Sequence, residues 1–339
     1  LCQHFQSPSS QTMQAGPLLD VRHLCKTFTI RGTGLFGRNE STRVKAVDDV
    51  SFSIQRGECL GLVGESGCGK TTVSKILMRA LSPDSGSVEF HDDEGPRDLF
   101  GLDDDAMMAM RRKMQLIFQD PFSSLSPRMT VFDIVREPLV IHQKGDTASQ
   151  RELVQELMRL VGLDPRFLSR YPHSFSGGQR QRISIARALA LQPQLLICDE
   201  PVSALDVSIQ AQVLNLLKDL KSELGLTYLF ISHNLAVIDY IADRVAVMHR
   251  GRLVEMASRD QLFSNPAHPY TRSLLQAVPH PDLAKPLDFE AITASGGSDP
   301  NQWPKAFQPD AGSDSQWLDL GQGHRVRARA NANPGEIMQ

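Results

Sequence analysis

Four short stretches of this chain are apolar almost throughout: Leu60-Gly61-Leu62-Val63, Met114 to Phe118, Leu195 to Cys198 and Thr227 to Ser232. Runs this short and unbroken predict strands buried on both faces, as in a parallel sheet covered by helices. Between them the apolar spacing changes to the helical period. Val73, Ile76, Leu77 and Ala80 mark one helix, and Ile183, Ala186 and Ala190 another. A long helix capped by Asp206 carries Val213, Leu216, Leu217, Leu220 and Leu224, with Gly225 at its end. Asp103 to Lys113 predicts a short helix with acids at its start and Arg111, Arg112 and Lys113 at its end, which suits the helix dipole.

Looser alternation over Leu18–Ile30 and Val44–Ile54 predicts two further strands, separated by a Gly-rich excursion over 31–43. Ser87 to Phe90 predicts a short strand after the turn Pro83-Asp84-Ser85-Gly86. From Asp120 to about Arg182 the pattern is helical, and Ser149 is expected to start a helix with Leu153, Leu157, Leu160 and Val161 on its apolar face. The proline-broken loop Asp120 to Pro127 opens this insertion. Beyond Arg250-Gly251 a hairpin and a helix from Arg259 are expected, then a loop into a helix around Leu274.

Length and composition add bounds rather than chemistry. The 339 residues suffice for two domains, or for one large domain with a tail. A hydrophobic share of 41% and a charged share of 22% suit an ordinary globular chain, and a net charge of −3 offers no basic field for nucleic acid or anionic lipid. No apolar run approaches the roughly 20 residues of a membrane span, so work at a membrane would need a partner. Cysteines at 2, 25, 59, 68 and 198 form no C-x-x-C pair, which predicts neither a zinc site nor a disulfide framework. Residues 1–17, rich in Gln, Ser and Pro, are expected to be a flexible lead-in without a signal peptide. An opening on Leu1 rather than methionine fits the later part of a longer product. Residues 280–339, rich in Pro, Gly, Asp and Asn, are expected to be weakly ordered, with a short strand over His324 to Ala330.

The chemistry centres on Gly64-Glu65-Ser66-Gly67-Cys68-Gly69-Lys70-Thr71-Thr72, which lies between an apolar strand and a helix. That is the context the G-x-x-x-x-G-K-[ST] pattern requires. Glycines let successive backbone N–H groups turn toward a phosphate chain, and the helix start adds its positive dipole end. Lys70 supplies a charge for the terminal phosphates, and the Thr71 hydroxyl is placed to ligate Mg²⁺.

Asp199-Glu200 follow a buried strand, where two carboxylates are costly unless a metal or a proton transfer uses them. Asp199 would face the Mg²⁺ shell and Glu200 would polarise an attacking water. Solvated acids in a strand-end turn are the competing reading. Ser176 and Gln179 have capping-box spacing, and Gly177 and Gly178 in the first turn suggest close approach to an anion. A capped helix with nothing bound explains the same residues. Gln119 and His233 both end predicted strands, where ligand groups collect in open α/β sheets, although a lone histidine is more often structural.

In this order the segments resemble the ATP-binding subunits of ABC transporters over nearly all of 18–279. Gly64 to Thr71 is similar to the family's phosphate loop, Gln119 to its Q-loop glutamine and Ser176-Gly177-Gly178-Gln179 to its signature, with Phe175 where many members have leucine. Asp199 and Glu200 resemble the Walker B pair, Ser203 to Asp206 the D-loop, His233 the switch histidine and Phe28 the aromatic that stacks on adenine.

The resemblance implies an α/β fold: a P-loop NTPase core with a mixed, mainly parallel sheet, an antiparallel β-subdomain and a helical insertion. It assigns 18–264 to the ATPase domain, with the insertion over about 120–182. It implies ATP with Mg²⁺ held by Thr71, Gln119 and Asp199, catalysis by Glu200, His233 and Gln119, and two ATP-binding domains meeting head to tail. In that arrangement Ser176 to Gln179 act in trans and Asp206 links the sites.

The run Asn265 to Thr271 with Leu274-Leu275 and Val278-Pro279 is similar to the oligopeptide, dipeptide and nickel importers, as is Gln119 to Pro127. Residues 265–279 form that C-terminal motif, and it implies a peptide importer. Nickel, glutathione or another small solute, or a soluble ABC ATPase outside transport, are the alternatives. Permease subunits, indirectly an extracytoplasmic solute-binding protein, and a peripheral place on the cytoplasmic face of the inner (plasma) membrane are implied. No nucleic acid is expected as a partner. Some relatives hold an iron–sulfur cluster through C-terminal cysteines, and with none there no cluster is expected. The start at Leu1 fits the second half of a fused double ATPase.

Overall fold

A computed structural model describes residues 16–31, 41–120, 124–277, 297–308 and 315–337. In chain order the first elements are β1 (Pro17–Arg31), β2 (Ser41–Gln55), β3 (Cys59–Val63), α1 (Lys70–Leu77), β4 (Ser85–Asp92), β5 (Gly95–Asp98), α2 (Asp104–Lys113) and β6 (Met114–Ile117). There follow α3 (Val131–Ile141), α4 (Thr147–Leu160), α5 (Gly177–Leu189), β7 (Leu195–Asp199), α6 (Val207–Leu224) and β8 (Thr227–Ser232). The last are α7 (Leu235–Ile241), β9 (Arg244–His249), β10 (Arg252–Ser258), α8 (Arg259–Ser264), α9 (Pro269–Gln276), β11 (Ser315–Gly321) and β12 (His324–Arg329).

The chain forms two compact units, each drawn from separate segments. The first gathers Ser53–Glu58 and Glu89–Ile231 with the chain up to Leu19, and the second Asp20–Phe52, Cys59–Val88 and Ser232–Gln339. In the first unit the strands run β8-β7-β6, all parallel, with Met114 opposite Leu195 and Leu195 opposite Thr227. Every residue of β7 and β8 is buried, as continuous apolar runs require when helices cover both faces. α2 starts on the Asp103 carboxylate, which accepts from Ala106 N at 2.8 Å. Asp92, fully buried, is held by Lys113 Nζ at 2.6 Å, so its charge is paired rather than stranded. Helix α4 differs from expectation. It starts at Thr147, because Asp146 rather than Ser149 caps it, accepting from Ser149 N at 2.8 Å.

In the second unit β3 pairs in parallel with β9, and β10 and β12 add antiparallel strands in the order β11-β12-β10-β9-β3. Helix α7 lies close on β3. A Cβ at Gly61 would sit 2.8 Å from Ile238 Cγ2, so the absent side chain sets that helix-to-strand distance. Strands β2 and β1 and the start of β4 lie in the order β2-β1-β4.

The weakly ordered tail expected over 280–339 is corrected in its described residues. Pro300–Gln302 form a turn of 3-10 helix, Trp303 is buried, and β11 and β12 extend the sheet through Glu255 opposite Val326. Val326, Ala328 and Ile337 pack with Ala267, and Phe307, Leu318 and Leu320 lie against them. Leu318 and Leu320, and Val326 and Ala328, repeat at the strand period, and they converge with Ala267 and Ile337 once the hairpin forms. Residues 1–15 of the lead-in, 32–40 of the excursion, 121–123 of the proline-broken loop and 278–296 lie outside the described residues.

Candidate functional site

The phosphate loop lies in the second unit. Gly64, Gly67 and Gly69 take φ of 155°, 80° and 113°, backbone that L side chains rarely adopt. At Gly64 a Cβ would meet the Met248 carbonyl at 2.1 Å, and at Gly69 the Ala46 carbonyl at 2.0 Å. The loop is therefore pressed between neighbouring backbone and leaves no room for side chains at those turns. Lys70 is buried, and its ammonium donates to the carbonyls of Gly64 at 2.7 Å and Glu65 at 2.9 Å.

Gly69 gives α1 no side-chain cap, and its first turn holds no acid. An uncapped helix start beside a buried cation fits an anion of high charge such as a triphosphate. Burial pushes the Cys68 thiol up, with Lys70 opposing, so Cys68 stays a neutral thiol that fills space. Glu65, Ser66, Gly67 and Thr71 are exposed, and Thr72 is half-buried.

The first unit carries the carboxylates. Asp199 is the buried last residue of β7. Glu200, next in the chain, takes a left-handed φ of 49° that turns its side chain out of the strand's alternation. Its own N–H donates to Ile231 O at 3.0 Å, and Ser203 Oγ donates to its carbonyl at 3.1 Å. Gln119 Nε2 donates to Glu200 Oε2 at 3.1 Å, so these two predicted residues come together.

The signature closes on itself. Ser176 Oγ accepts from Gln179 N at 3.3 Å, and Gln179 Oε1 accepts from Ser176 N at 3.1 Å. Gly178 is explained by packing, since a Cβ there would sit 2.3 Å from Ile209 Cγ2 on α6. Asp206 caps α6 by accepting from Ile209 N at 3.0 Å.

His233 and Phe28 belong to the second unit. His233 is exposed between β8 and α7, and the Phe28 ring on β1 is 39% exposed, with Lys26 Nζ 5.9 Å from its centre.

Sequence reasoning missed the residues behind the phosphate loop. Tyr270 Oη accepts from Glu65 N at 3.0 Å, and the Ser298 hydroxyl donates to the Glu65 carboxylate. Tyr270 lies in the run expected to be a loop leading into a helix around Leu274. It is the second residue of α9 and is fully buried, where a tyrosine hydroxyl needs a partner.

A glycine-built phosphate loop at a strand-to-helix turn, with a buried lysine, defines the class as a P-loop nucleoside-triphosphatase. The sequence model of the ABC transporter family matches residues 47–203, and that of the oligopeptide/dipeptide transporter C-terminal region matches 254–303. The second match is wider than the 265–279 motif expected from the sequence.

The chain is similar to the oligopeptide transport ATP-binding protein OppF of Bacillus subtilis, 53% identical over 78% of this chain and 83% of that protein. It is also similar to the probable peptide ABC transporter ATP-binding protein y4tS of Sinorhizobium fredii, 52% identical over 79% of this chain and 74% of that one. Among solved structures it resembles the post-hydrolysis dimer of the ATP-binding cassette MJ0796 bound to ADP and Pi. That likeness has a TM-score of 0.60 and 29% identity, covering 71% of this chain and 98% of that one. The chain belongs to the ABC transporter family, as an ATP-hydrolysing, ATP-binding protein of its oligopeptide/dipeptide branch.

Proposed function

We propose that this chain is the ATPase subunit of a membrane importer for di- and oligopeptides. The observation that carries the reading is a phosphate loop with a buried lysine and an uncapped helix start, in the same chain as a match over residues 254–303 to the oligopeptide/dipeptide transporter C-terminal region. The curated relatives, named for oligopeptide and peptide transport, support it.

Gly64 to Thr72 cradle the phosphates, with Lys70 on the terminal ones, and the exposed Phe28 ring receives adenine. Thr71, Asp199 and Gln119 would hold Mg²⁺. A hydroxyl, a carboxylate and an amide suit an ion that keeps water and phosphate oxygens as its other ligands. No group of three or more His, Cys, Asp or Glu able to hold a metal occurs among the described residues. When bound, Mg²⁺ neutralises charge on the β- and γ-oxygens.

Glu200, aimed by its left-handed backbone and steadied by Gln119, polarises the attacking water. His233 contacts the γ-phosphate. Two such ATPase domains, in a homo- or heterodimer, meet head to tail. Ser176 to Gln179 of one face the phosphate held by the other, and Asp206 lies at the seam. Transmembrane permease subunits take up the motion from the insertion, and an extracytoplasmic solute-binding protein delivers cargo. The chain works at the cytoplasmic face of the inner membrane. No helix among the described residues is long and apolar enough to cross a membrane, which suits a peripheral subunit.

The test is peptide-dependent growth. Cells that need one amino acid, supplied only in a tripeptide, should stop growing when the native gene is replaced by its Glu200→Gln form. Growth retained on peptide, with nickel uptake lost instead, would contradict the substrate class.

A further inference from the structure

Glu65 is where the C-terminal region meets the phosphate loop. Its N–H donates to Tyr270 Oη at 3.0 Å, its carboxylate accepts from Ser298 Oγ, and its carbonyl accepts from Lys70 Nζ at 2.9 Å and from Cys68 N at 3.3 Å. One residue thus ties two C-terminal groups to the ammonium that meets phosphate. Those two groups are themselves fixed. The Tyr270 ring is fully buried 4.4 Å from the His249 ring, and Trp303 lies 5.1 Å from the same histidine. His249 Nε2 lies 3.2 Å from the Ser298 carbonyl. A carbonyl only accepts, so Nε2 carries the proton and the imidazole locks the backbone that presents the Ser298 hydroxyl. Trp303 Nε1 donates to Gly297 O at 3.0 Å and closes the same segment.

We propose that Tyr270 and Ser298 are positioning residues for nucleotide binding: they hold Glu65, and through its carbonyl the Lys70 ammonium, so that the C-terminal region sets the affinity for ATP. The inference rests on the reading that the phosphate loop binds ATP. An exposed glycine-rich loop would otherwise sample many backbone states, and ordering it would weaken binding by the entropy lost. Anchoring Glu65 from behind removes that cost before nucleotide arrives. Neither side chain needs to touch ATP.

The test uses the full chain, purified, with ATP as the probe. Tyr270→Phe should raise the Kd for ATP about five- to tenfold, the range for one lost hydrogen bond, while kcat at saturating ATP stays at the wild-type value. Ser298→Ala, at the exposed end of the relay, should raise Kd about twofold. In the wild type without nucleotide, hydrogen exchange at the Glu65 amide should be slow, and Tyr270→Phe should release it. Wild-type chain that binds no ATP would overturn the site itself. Wild-type binding with an unchanged Kd in both variants, or a lowered kcat at unchanged KM, would overturn the positioning role alone. Should Tyr270→Phe fail to fold, Ser298→Ala and the wild-type Glu65 exchange rate decide, and a freely exchanging amide would overturn it.

Discussion

Two helices in this chain begin on glycines, and they begin for different reasons. At α1 the glycines are forced by backbone: Gly64 and Gly69 have carbonyls where a Cβ would stand, and the helix start has neither side-chain cap nor acid. At α5 the start is already satisfied by the Ser176–Gln179 capping box, and Gly178 exists to admit Ile209. The first fits an anion held within its own chain. The second offers only the donors its cap leaves over, which suits a surface that completes a site held elsewhere. A glycine-rich helix start is thus two signals, and the neighbouring atoms separate them.

The largest expected effect isolates binding from turnover, so the two helix starts can be compared with ATP intact. Glu200→Gln should lower steady-state hydrolysis by about 10²–10⁴-fold, the range for general-base removal, with ATP affinity unchanged. Phosphate release and equilibrium binding on one preparation check it, and near-normal turnover would remove Glu200 from that role.

Paired glycine substitutions come next. Gly64→Ala forces a strained turn against Met248, at about 1–3 kcal/mol, and should weaken ATP binding roughly tenfold or more. Gly178→Ala should instead cost about 1–3 kcal/mol of stability through overpacking and leave the monomer's ATP affinity alone. Adding Ile209→Ala to Gly178→Ala should recover part of that loss in denaturant unfolding. If it does not, packing is not why Gly178 is there.

The smallest effect is on pH. Burial, helped by His249 and Arg272, holds the His268 imidazole well below its usual range. Burial, with Arg250 adding, lowers His249. Folding favours the neutral form of both, while the unfolded chain takes up protons below about pH 6.5. Stability is therefore fully present above that pH and is lost as pH falls toward the depressed folded values. Melting temperature should drop by a few degrees between pH 7.5 and 5.5, and His268→Gln should flatten the slope. The α5 cap, Ser176 with Gln179, holds no titratable group and should not contribute.

The sequence was most legible where one physical cause acts alone. β7 and β8 are continuous apolar runs and are wholly buried, and the phosphate-loop glycines follow from backbone geometry that few other residues satisfy. The short strand expected near His324 forms as β12. It was least legible where distant segments meet. Nothing local marks Ile209 as the neighbour of Gly178, or Tyr270 and Ser298 as the support of Glu65. The tail misled because Pro, Gly, Asp and Asn dominate its composition while the residues that hold it lie far off in the chain. Arg327, which donates to Asp49 at 2.8 Å, has a partner 278 positions away.

On this reading one glycine-built helix start binds ATP within the chain while the other serves a site it does not itself fill. Equilibrium titration of ATP into the isolated subunit at low concentration, for Lys70→Ala and Ser176→Arg side by side, tests this most directly. Lys70→Ala should abolish measurable binding, and Ser176→Arg should bind as the wild type does yet fail to hydrolyse. Equal loss of affinity in the two variants would contradict it.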